Sequence, residues 1–359
     1  MIPNAKIYIA GHKGLVGSSI HRRLLRQGYD DNIIYRESRD LDLRRQQDVE
    51  MFLEKERPEY VFLAAAKVGG IFANNTYKAD FIYDNIIIAA NVIHASYKTG
   101  VKKLLNLGSS CIYPKLAPQP LKEEYLLSGP LEPTNEPYAI AKIAAIKLCR
   151  YYNEQYGMNF ISVMPTNLYG PNDNFDLNTS HVLPAFLRKF HISKLLHQNN
   201  YDLILKDLEI FGNKPDISNP SPSGVDPEFL THYLSQFGIY PDKITLWGSG
   251  RPFREFLHVD DMAEAAAFLM ERYDSKDITE FINIGTGQDI TLHELAETVK
   301  GIVGFQGEIQ WDTNRPDGTP RKLLDISMIN DLGWKPNVGL KEGIRRTYQW
   351  YLEGYLRKK

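Results

Sequence analysis

The feature that most restricts the fold of this chain is a glycine-rich turn between an apolar run and a helical pattern near its start. Residues 6–10 form the apolar run, and the turn occupies residues 11–17 with the spacing G-x-x-G-x-x-G. Ile20 and Leu24 then follow at helical spacing. Glycines at such a turn let the backbone approach a pyrophosphate at a helix N-terminus, where unpaired N–H groups favour anions. The turn therefore predicts a dinucleotide site, with a plain tight turn as the alternative.

Four further apolar runs alternate with helical patterns. The runs lie at residues 32–35, 60–66, 104–108 and 160–165, and helical patterns at residues 45–57, 80–99 and 138–156 separate them. The run at residues 60–66 is apolar throughout, as in a strand that is buried on both faces of a parallel sheet. Strands separated by helices predict an α/β fold with a doubly wound, Rossmann-type parallel sheet.

The end of the second run is where a dinucleotide fold recognises the ribose of its cofactor. Arg36, Ser38 and Arg39 follow that run. Arginine and serine suit a 2′-phosphate, whereas an acid would bind a 2′-hydroxyl, so the sequence favours NADPH over NADH. The alternative is that both arginines are surface charges, because Asp40 and Asp42 lie nearby.

Tyr138 and Lys142 are candidate catalytic residues. Pro137 favours a helix start, because its φ is fixed and it lacks an N–H, and this would place both side chains on one helix face. An ammonium beside a phenol favours the phenolate, so we expect Lys142 to lower the pKa of Tyr138 and to make it a tunable proton donor. An isolated Y-x-x-x-K is more often a solvated helix face, and the preceding glycine turn is what favours chemistry here.

A serine and a cysteine follow the strand at residues 104–108. Ser109 and Cys111 would lie at the carboxyl edge of the sheet, where such folds bind ligands. Ser109 can donate a hydrogen bond to a substrate carbonyl, although a serine that ends a strand is often a cap. We interpret Cys111 as chemically active because of this position, and Cys149, in phase with Ile146 on the later helix, as packing.

The composition is that of an ordinary globular protein. The chain has 359 residues, of which 43% are hydrophobic and 24% are charged, enough for two domains or one large one. Its net charge of -2 gives no reason to expect nucleic acid or an anionic membrane as a partner. No signal-peptide pattern and no membrane-spanning apolar run occur, so we expect a cytoplasmic protein. Two cysteines cannot form a disulfide framework, and we expect no metal.

The pattern of elements changes in the second half of the chain. Residues 191–243 contain two helical stretches on either side of residues 215–224, which are rich in turn formers. We predict a dinucleotide-binding domain at residues 1–171, to which residues 244–290 return. A smaller substrate-binding domain would comprise residues 172–243 and 291–359, with residues 191–243 as an inserted helical cap. A solvated excursion without a role in the chemistry is the alternative for this insertion.

Several motifs together resemble one family. The glycine turn, Ser109 with Cys111, Tyr138 with Lys142 and the sequence at residues 254–261 resemble the extended short-chain dehydrogenase/reductase family. Residues 65–77, 108–115, 131–138, 164–171 and 316–324 are similar to its members that epimerise C3 and C5 and reduce C4 of GDP-4-keto-6-deoxy-mannose. The resemblance covers nearly the whole chain. It implies that activity, with NADPH as the cofactor and a GDP-linked keto sugar as the substrate.

The resemblance also implies three groups of site residues. The catalytic residues would be Ser109, Tyr138, Lys142, Cys111 and His181, the last two as the acid and base of epimerisation in an order left open. The cofactor contacts would be Gly11, His12, Lys13, Gly14, Leu15, Val16, Gly17, Arg36, Arg39, Ala65, Leu107, Gly108, Ser109, Lys142, Pro165, Thr166, Asn167, Leu168 and His181. The nucleotide or sugar contacts would be Lys189, Trp247, Arg254, Asp317 and Lys322.

The chain departs from the family pattern at two places. The interval 191–243 is longer than we expect for the family, which bears on the identity of the sugar. Lys189 stands where we expect an arginine, and a point charge recognises phosphate less directionally than a planar fork.

We also predict a homodimer. The resemblance implies one, and the helices at residues 80–99 and 138–156 carry apolar residues over more of their circumference than one packed face requires.

Two alternatives to a bifunctional epimerase/reductase follow from the same residues. The first is a reductase or epimerase that acts on another GDP-linked keto sugar, such as a heptose; the presence of both Cys111 and His181 favours retained epimerisation. The second is a cofactor-sensing regulator without catalytic activity. Such a protein usually loses the tyrosine or the lysine, and this chain has both.

Overall fold

The computed structural model of the chain describes residue 1 and residues 4–215, 226–315 and 317–357. Residues 216–224 of the turn-rich segment and the motif residue Pro316 lie outside the described residues. Contacts divide the chain into two compact units. Unit 1 comprises Met1–Asn172, Glu255–Gln288 and Lys322–Val338, and unit 2 comprises Asp173–Arg254, Asp289–Arg321 and Gly339–Lys359.

The longest stretch of described residues without a strand or an α-helix is residues 108–135, which holds two 3₁₀ turns, Ser110–Ile112 and Glu123–Tyr125. The strands are β1 (Ile7–Ala10), β2 (Ile33–Ile34), β3 (Tyr60–Leu63), β4 (Lys103–Leu107), β5 (Phe160–Pro165), β6 (Asn167–Tyr169), β7 (Lys243–Trp247), β8 (Phe253–His258), β9 (Ile282–Ile284), β10 (Asp289–Thr291), β11 (Glu308–Asp312) and β12 (Arg321–Lys322). The helices are α1 (Leu15–Leu25), α2 (Gln46–Glu56), α3 (Ile71–Thr76), α4 (Lys78–Lys98), α5 (Glu136–Tyr156), α6 (Val182–His197), α7 (Tyr201–Ile210), α8 (Pro227–Ser235), α9 (Val259–Arg272), α10 (Leu292–Val303), α11 (Ser327–Asp331) and α12 (Leu340–Arg357).

Unit 1 is built on a six-stranded sheet in the order β2-β1-β3-β4-β5-β9. All neighbouring strands are parallel. The chain leaves β1 for β2 on one side and returns to β3 on the other, so the strand order reverses at β1. Ligands of such sheets bind outside the carboxyl ends of the strands at this reversal. The predicted doubly wound fold is confirmed.

Helices cover both faces of this sheet. Alternate residues of each buried strand point to opposite sides and so pack against different helices. Ile7 and Ile9 pack in one cluster with Ile20 of α1 and Met262 of α9. Tyr8 packs in the other cluster, with residues of α2, α4 and α5. The central strands are buried on both faces, which explains why their sequence reads as continuous apolar runs.

Unit 2 contains the segment that the sequence set apart as an insertion. Ile204 of α7 and Leu230 and Leu234 of α8 are fully buried in one cluster with Ile192 of α6. These two helices are therefore packed into unit 2, so the described part of the insertion is not a solvated excursion.

The unit boundaries differ from the predicted domain boundaries at two places. Residues 244–254 stay in unit 2, where β7 pairs in parallel with β11. Residues 322–338 join unit 1, where Leu324 forms a bridge with Leu121. Both differences depend on pairing between distant segments. Among the described residues, no helix is both long and apolar enough to cross a membrane.

Candidate active site

The glycine turn of unit 1 is a cradle with no room for a side chain at Gly11 or Gly17. Gly11 has a left-handed φ of +86°, and a Cβ there would lie 2.8 Å from the backbone nitrogen of Ala65. A Cβ on Gly17 would lie 2.1 Å from the carbonyl oxygen of Gly11. Gly14 precedes the first residue of α1, whose opening N–H groups have no intrahelical acceptor. A turn that side chains would fill, at the end of β1 and the start of a helix, fits a dinucleotide pyrophosphate.

The two arginines after β2 have different surroundings. Arg36 lies over the ring of Phe52, 5.2 Å from its centre, and donates to Glu56 at 2.8 Å. Arg39 keeps 77% of its side chain exposed and lies 3.3 Å from Glu37. Glu37 also contacts Lys13 of the glycine turn. Of the two arginines predicted to recognise the 2′-phosphate, only Arg39 therefore lies beside Glu37, a carboxylate that the sequence argument did not single out.

The ends of β4 and β5 contribute further predicted cofactor contacts. A Cβ on Gly108 would lie 1.9 Å from the terminal methyl of Met164, so a side chain there would displace Met164. After Pro165, the side chains of Thr166 and Asn167 donate to the carbonyl of Glu255 at 3.2 Å and 2.8 Å. These two side chains therefore tie the β5–β6 connection to β8.

Ser109, Cys111, Tyr138 and Lys142 meet beyond the carboxyl end of β4. The hydroxyl of Ser109 accepts from the backbone N–H of Cys111 at 3.4 Å. The ammonium of Lys142 lies 5.6 Å from the centre of the Tyr138 ring and donates to the carbonyl of Leu107 at 2.7 Å. The charges of Tyr138 and Lys142 both interact with the Cys111 thiol. The predicted reductase residues and the predicted epimerase cysteine therefore share one cluster.

Burial dominates the electrostatics of this cluster. Tyr138 is half-buried, but its hydroxyl lies deep among protein atoms, and burial, with a smaller effect of Cys111, raises the pKa of Tyr138 well above its ordinary value. Burial also lowers the pKa of Lys142 to about 8. The expectation that Lys142 lowers the pKa of Tyr138 is therefore wrong for this arrangement, because the ammonium is directed to the Leu107 carbonyl. Tyr138 carries its proton at neutral pH, as a proton donor must.

Lys322 lies near Cys111 because a distant segment packs beside the Cys111 loop. The backbone N–H of Leu323 donates to the side chain of Gln119 at 2.9 Å, and that of Leu121 donates to the carbonyl of Leu323 at 2.7 Å. Burial raises the pKa of the Cys111 thiol, and Lys322 is the strongest influence in the opposite direction. Lys322 is thus a cation that favours the thiolate form of Cys111.

Unit 2 holds two of the predicted site residues on or next to α6. His181 is exposed and immediately precedes the helix. Lys189 lies within it, only 9% exposed, and burial lowers the pKa of Lys189 to about 8. No acidic side chain among the described residues contributes to this shift. A buried lysine of this kind is suited to an anionic ligand, because an anion would offset the loss of hydration.

The other predicted substrate contacts of unit 2 have mixed environments. Trp247 is 58% exposed, and the guanidinium of Arg315 lies 5.0 Å from its ring centre. Arg254 donates to the carbonyl of Thr319 at 2.6 Å. Asp317 accepts from the backbone N–H and the hydroxyl of Ser249 at 2.8 Å and 2.7 Å. Asp317 thus holds Ser249, which lies in the connection between β7 and β8.

Sequence reasoning missed two residues of these surroundings. Glu37 could have been found, because an acid just after β2 stands where a ribose 2′-hydroxyl is bound. Arg315 had no such signal, because its stacking on Trp247 depends on a long-range contact. Within the described residues, no group of three or more His, Cys, Asp or Glu side chains could hold a metal ion.

Comparison with known proteins decides the family. The model of the NAD dependent epimerase/dehydratase family matches residues 7–214 and 209–285. The chain belongs to this family. The glycine cradle and the Tyr138–Lys142 pair both lie within the matched region.

Its relatives in the epimerase/dehydratase family are similar over nearly their full length. A putative GDP-L-fucose synthase from Arabidopsis thaliana is 52% identical, with 99% of this chain and 94% of that protein covered. GDP-L-fucose synthase from Escherichia coli is 48% identical, with 97% of each covered. A GDP-D-glycero-L-gluco-heptose synthase from Campylobacter jejuni, solved in the presence of NADPH, is 44% identical with a TM-score of 0.89 over 98% of this chain and 99% of that one.

Proposed function

We propose that this protein is an NADPH-dependent enzyme that epimerises C3 and C5 of GDP-4-keto-6-deoxy-mannose and reduces its C4 ketone, giving GDP-L-fucose. The observation that carries the proposal is the cluster of Ser109, Cys111, Tyr138 and Lys142 at the sheet edge. The identity of 48–52% to GDP-L-fucose synthases over nearly the whole chain supports the same substrate.

The reductive half of the reaction would use Ser109, Tyr138 and Lys142. The hydroxyls of Ser109 and Tyr138 hold the C4 carbonyl oxygen while negative charge develops on it, as in an oxyanion site. Tyr138 then gives that oxygen its proton, and the raised pKa of Tyr138 keeps this proton in place beforehand. When bound in the glycine cradle, NADPH supplies the hydride. Lys142, held by the Leu107 carbonyl, lies beside the Tyr138 ring and would hold the nicotinamide ribose.

The epimerising half would use Cys111 and His181. The C4 ketone acidifies the neighbouring C–H bonds, so that one group removes a proton and the other returns one from the opposite face. A thiol and an imidazole can exchange protons near neutral pH. Lys322 supports this role of Cys111, because its charge favours the thiolate. The GDP moiety would be recognised in unit 2 by the cations Lys189 and Arg254, together with Trp247 and Asp317.

A second candidate is the equivalent reaction on a GDP-linked keto-heptose. The TM-score of 0.89 to the C. jejuni heptose synthase, over 98% of this chain, favours it. The test is NADPH oxidation by the purified protein with GDP-4-keto-6-deoxy-mannose or a GDP-linked 4-keto-heptose as the substrate. A higher kcat/KM for the hexose supports the first candidate, and a higher value for the heptose supports the second. Absence of oxidation with both sugars contradicts both.

We further propose that the enzyme is a cytoplasmic homodimer that associates through α4 and α5. Tyr83 on α4 is 63% exposed, and Tyr151 and Ile140 on α5 are 53% and 40% exposed. Exposed apolar side chains on two adjacent helices are typical of an interface. Light scattering should give the mass of a dimer, and Tyr83→Glu with Tyr151→Glu should give a monomer. A wild-type monomer at micromolar concentration would contradict the dimer.

A further inference from the structure

Glu37 links the glycine turn to the loop after β2. One oxygen of its carboxylate contacts the ammonium of Lys13, and the other lies 3.3 Å from Nε of Arg39. The loop is also held to the turn by His12, whose ring stacks on that of Tyr35 with 4.4 Å between their centres. The Lys13 hydrogen bond holds the pKa of the Glu37 carboxyl below its usual value, so Glu37 is ionised at neutral pH.

This carboxylate stands where the fold distinguishes the two nicotinamide dinucleotides. In this fold an acid after the second strand accepts a hydrogen bond from a ribose 2′-hydroxyl, whereas arginine accommodates a 2′-phosphate. Arg36 points away from this position to Glu56, which leaves Lys13 and Arg39 as the cations beside Glu37. A 2′-phosphate that recruits either of them must compete with the carboxylate, because like charges repel.

We propose that Glu37 is a specificity residue that lowers the preference for NADPH and allows the enzyme to use NADH as well. It would accept a hydrogen bond from the 2′-hydroxyl of NADH, and it would withhold Lys13 and Arg39 from the 2′-phosphate of NADPH. This inference deepens the proposed function and rests on it for the use of NADPH.

The test compares wild type with Glu37→Gln, which keeps the shape of the side chain and removes its charge. Dissociation constants for NADP⁺ and NAD⁺ are measured by calorimetry, so that no sugar substrate is needed. We expect tighter NADP⁺ binding and weaker NAD⁺ binding, each by roughly two- to five-fold, as for exposed charge pairs. The gain for NADP⁺ should shrink with added salt, because screening weakens the repulsion that the substitution removes.

The matched control is Asp40→Asn, which removes one negative charge from the same loop. Asp40 lies 3.8 Å from Arg39 and has a side chain that is 54% exposed. Its substitution should leave the ratio of the two constants within a factor of about two. If Glu37→Gln leaves the ratio of the NADP⁺ and NAD⁺ dissociation constants unchanged, or weakens the binding of both dinucleotides equally, Glu37 is not a specificity residue. Either result would leave the proposed function standing. A wild-type protein that binds neither dinucleotide would overturn the proposed function together with the assignment of Glu37.

Discussion

Removal of Asp207 should destabilise unit 2, because this carboxylate is the only acidic partner of a buried arginine among the described residues. Asp207 on α7 accepts from Nε of Arg188 on α6 at 2.7 Å, and neither side chain is exposed. It also accepts from the hydroxyls of Tyr351 and Tyr355 on α12. The carboxylate therefore joins α7, a helix of the insertion, to α6 and to α12.

The size of the effect follows from what remains after Asp207→Ala. Loss of one partner of a buried ion pair costs about 3–5 kcal/mol, because the other charge stays buried. Arg188 still donates to the carbonyls of Phe175, Phe211 and Gly212, which reduces the loss. The two tyrosine hydroxyls each lose an acceptor, which adds about 1 kcal/mol apiece. We therefore expect the free energy of unfolding to fall by about 4 kcal/mol.

The assay is urea unfolding followed by tryptophan fluorescence, with Glu209→Ala as the matched control. Glu209 lies on the same helix, but its side chain is 66% exposed and its ion pair with Lys214 is 3.8 Å long. The control should change stability by less than about 0.5 kcal/mol. If Asp207→Ala also stays within about 1 kcal/mol of wild type, the buried ion pair does not hold unit 2 together and the reasoning is refuted.

Three further predictions concern the chemistry. Tyr138→Phe should lower kcat by roughly 10²–10⁴-fold and leave NADPH binding unchanged, because only the proton donor is lost; near-normal turnover would exclude Tyr138 as that donor. In deuterated buffer without NADPH, Cys111→Ser should exchange deuterium into C3 and C5 of the keto sugar roughly 10²-fold more slowly, whereas Cys149→Ser should match wild type; equal rates in both variants would leave Cys111 a packing residue. Lys189 is cationic below its pKa of about 8 and neutral above it, so kcat/KM should fall as the pH rises through that value. Lys142 titrates in the same range, and Lys189→Arg should therefore remove only part of the decline; an unaltered profile would exclude Lys189 as an anion contact.

The sheet of unit 1 could be predicted because each buried strand carries its own signal. The run at residues 60–66 reads as apolar throughout, and its core, β3, is buried on both faces. The predicted helix start at Pro137 is also confirmed, because Pro137 lies in the first turn of α5. Spacing alone brings Tyr138 and Lys142 together, because four residues make about one helical turn.

Other features could not be predicted because they depend on contacts between distant segments or on the direction in which a side chain points. No local pattern shows that residues 322–338 pack in unit 1, where the backbone N–H of Leu324 donates to the buried Glu255. The helical spacing of Lys142 does not reveal that its ammonium is directed to the Leu107 carbonyl. The sequence of the insertion fits a cap and a solvated excursion equally, because the contacts that bury Asp207 against α6 and α12 join residues far apart in the chain.

The most direct test of the proposed bifunctional reaction is identification of the product formed from GDP-4-keto-6-deoxy-mannose and NADPH. Purified protein is incubated with both compounds, and the sugar nucleotide is characterised by nuclear magnetic resonance. The account predicts GDP-L-fucose, in which C3 and C5 are inverted and C4 is reduced. A product that is reduced at C4 but retains the original configuration at C3 and C5 would contradict it, because Cys111 and His181 would then not perform epimerisation.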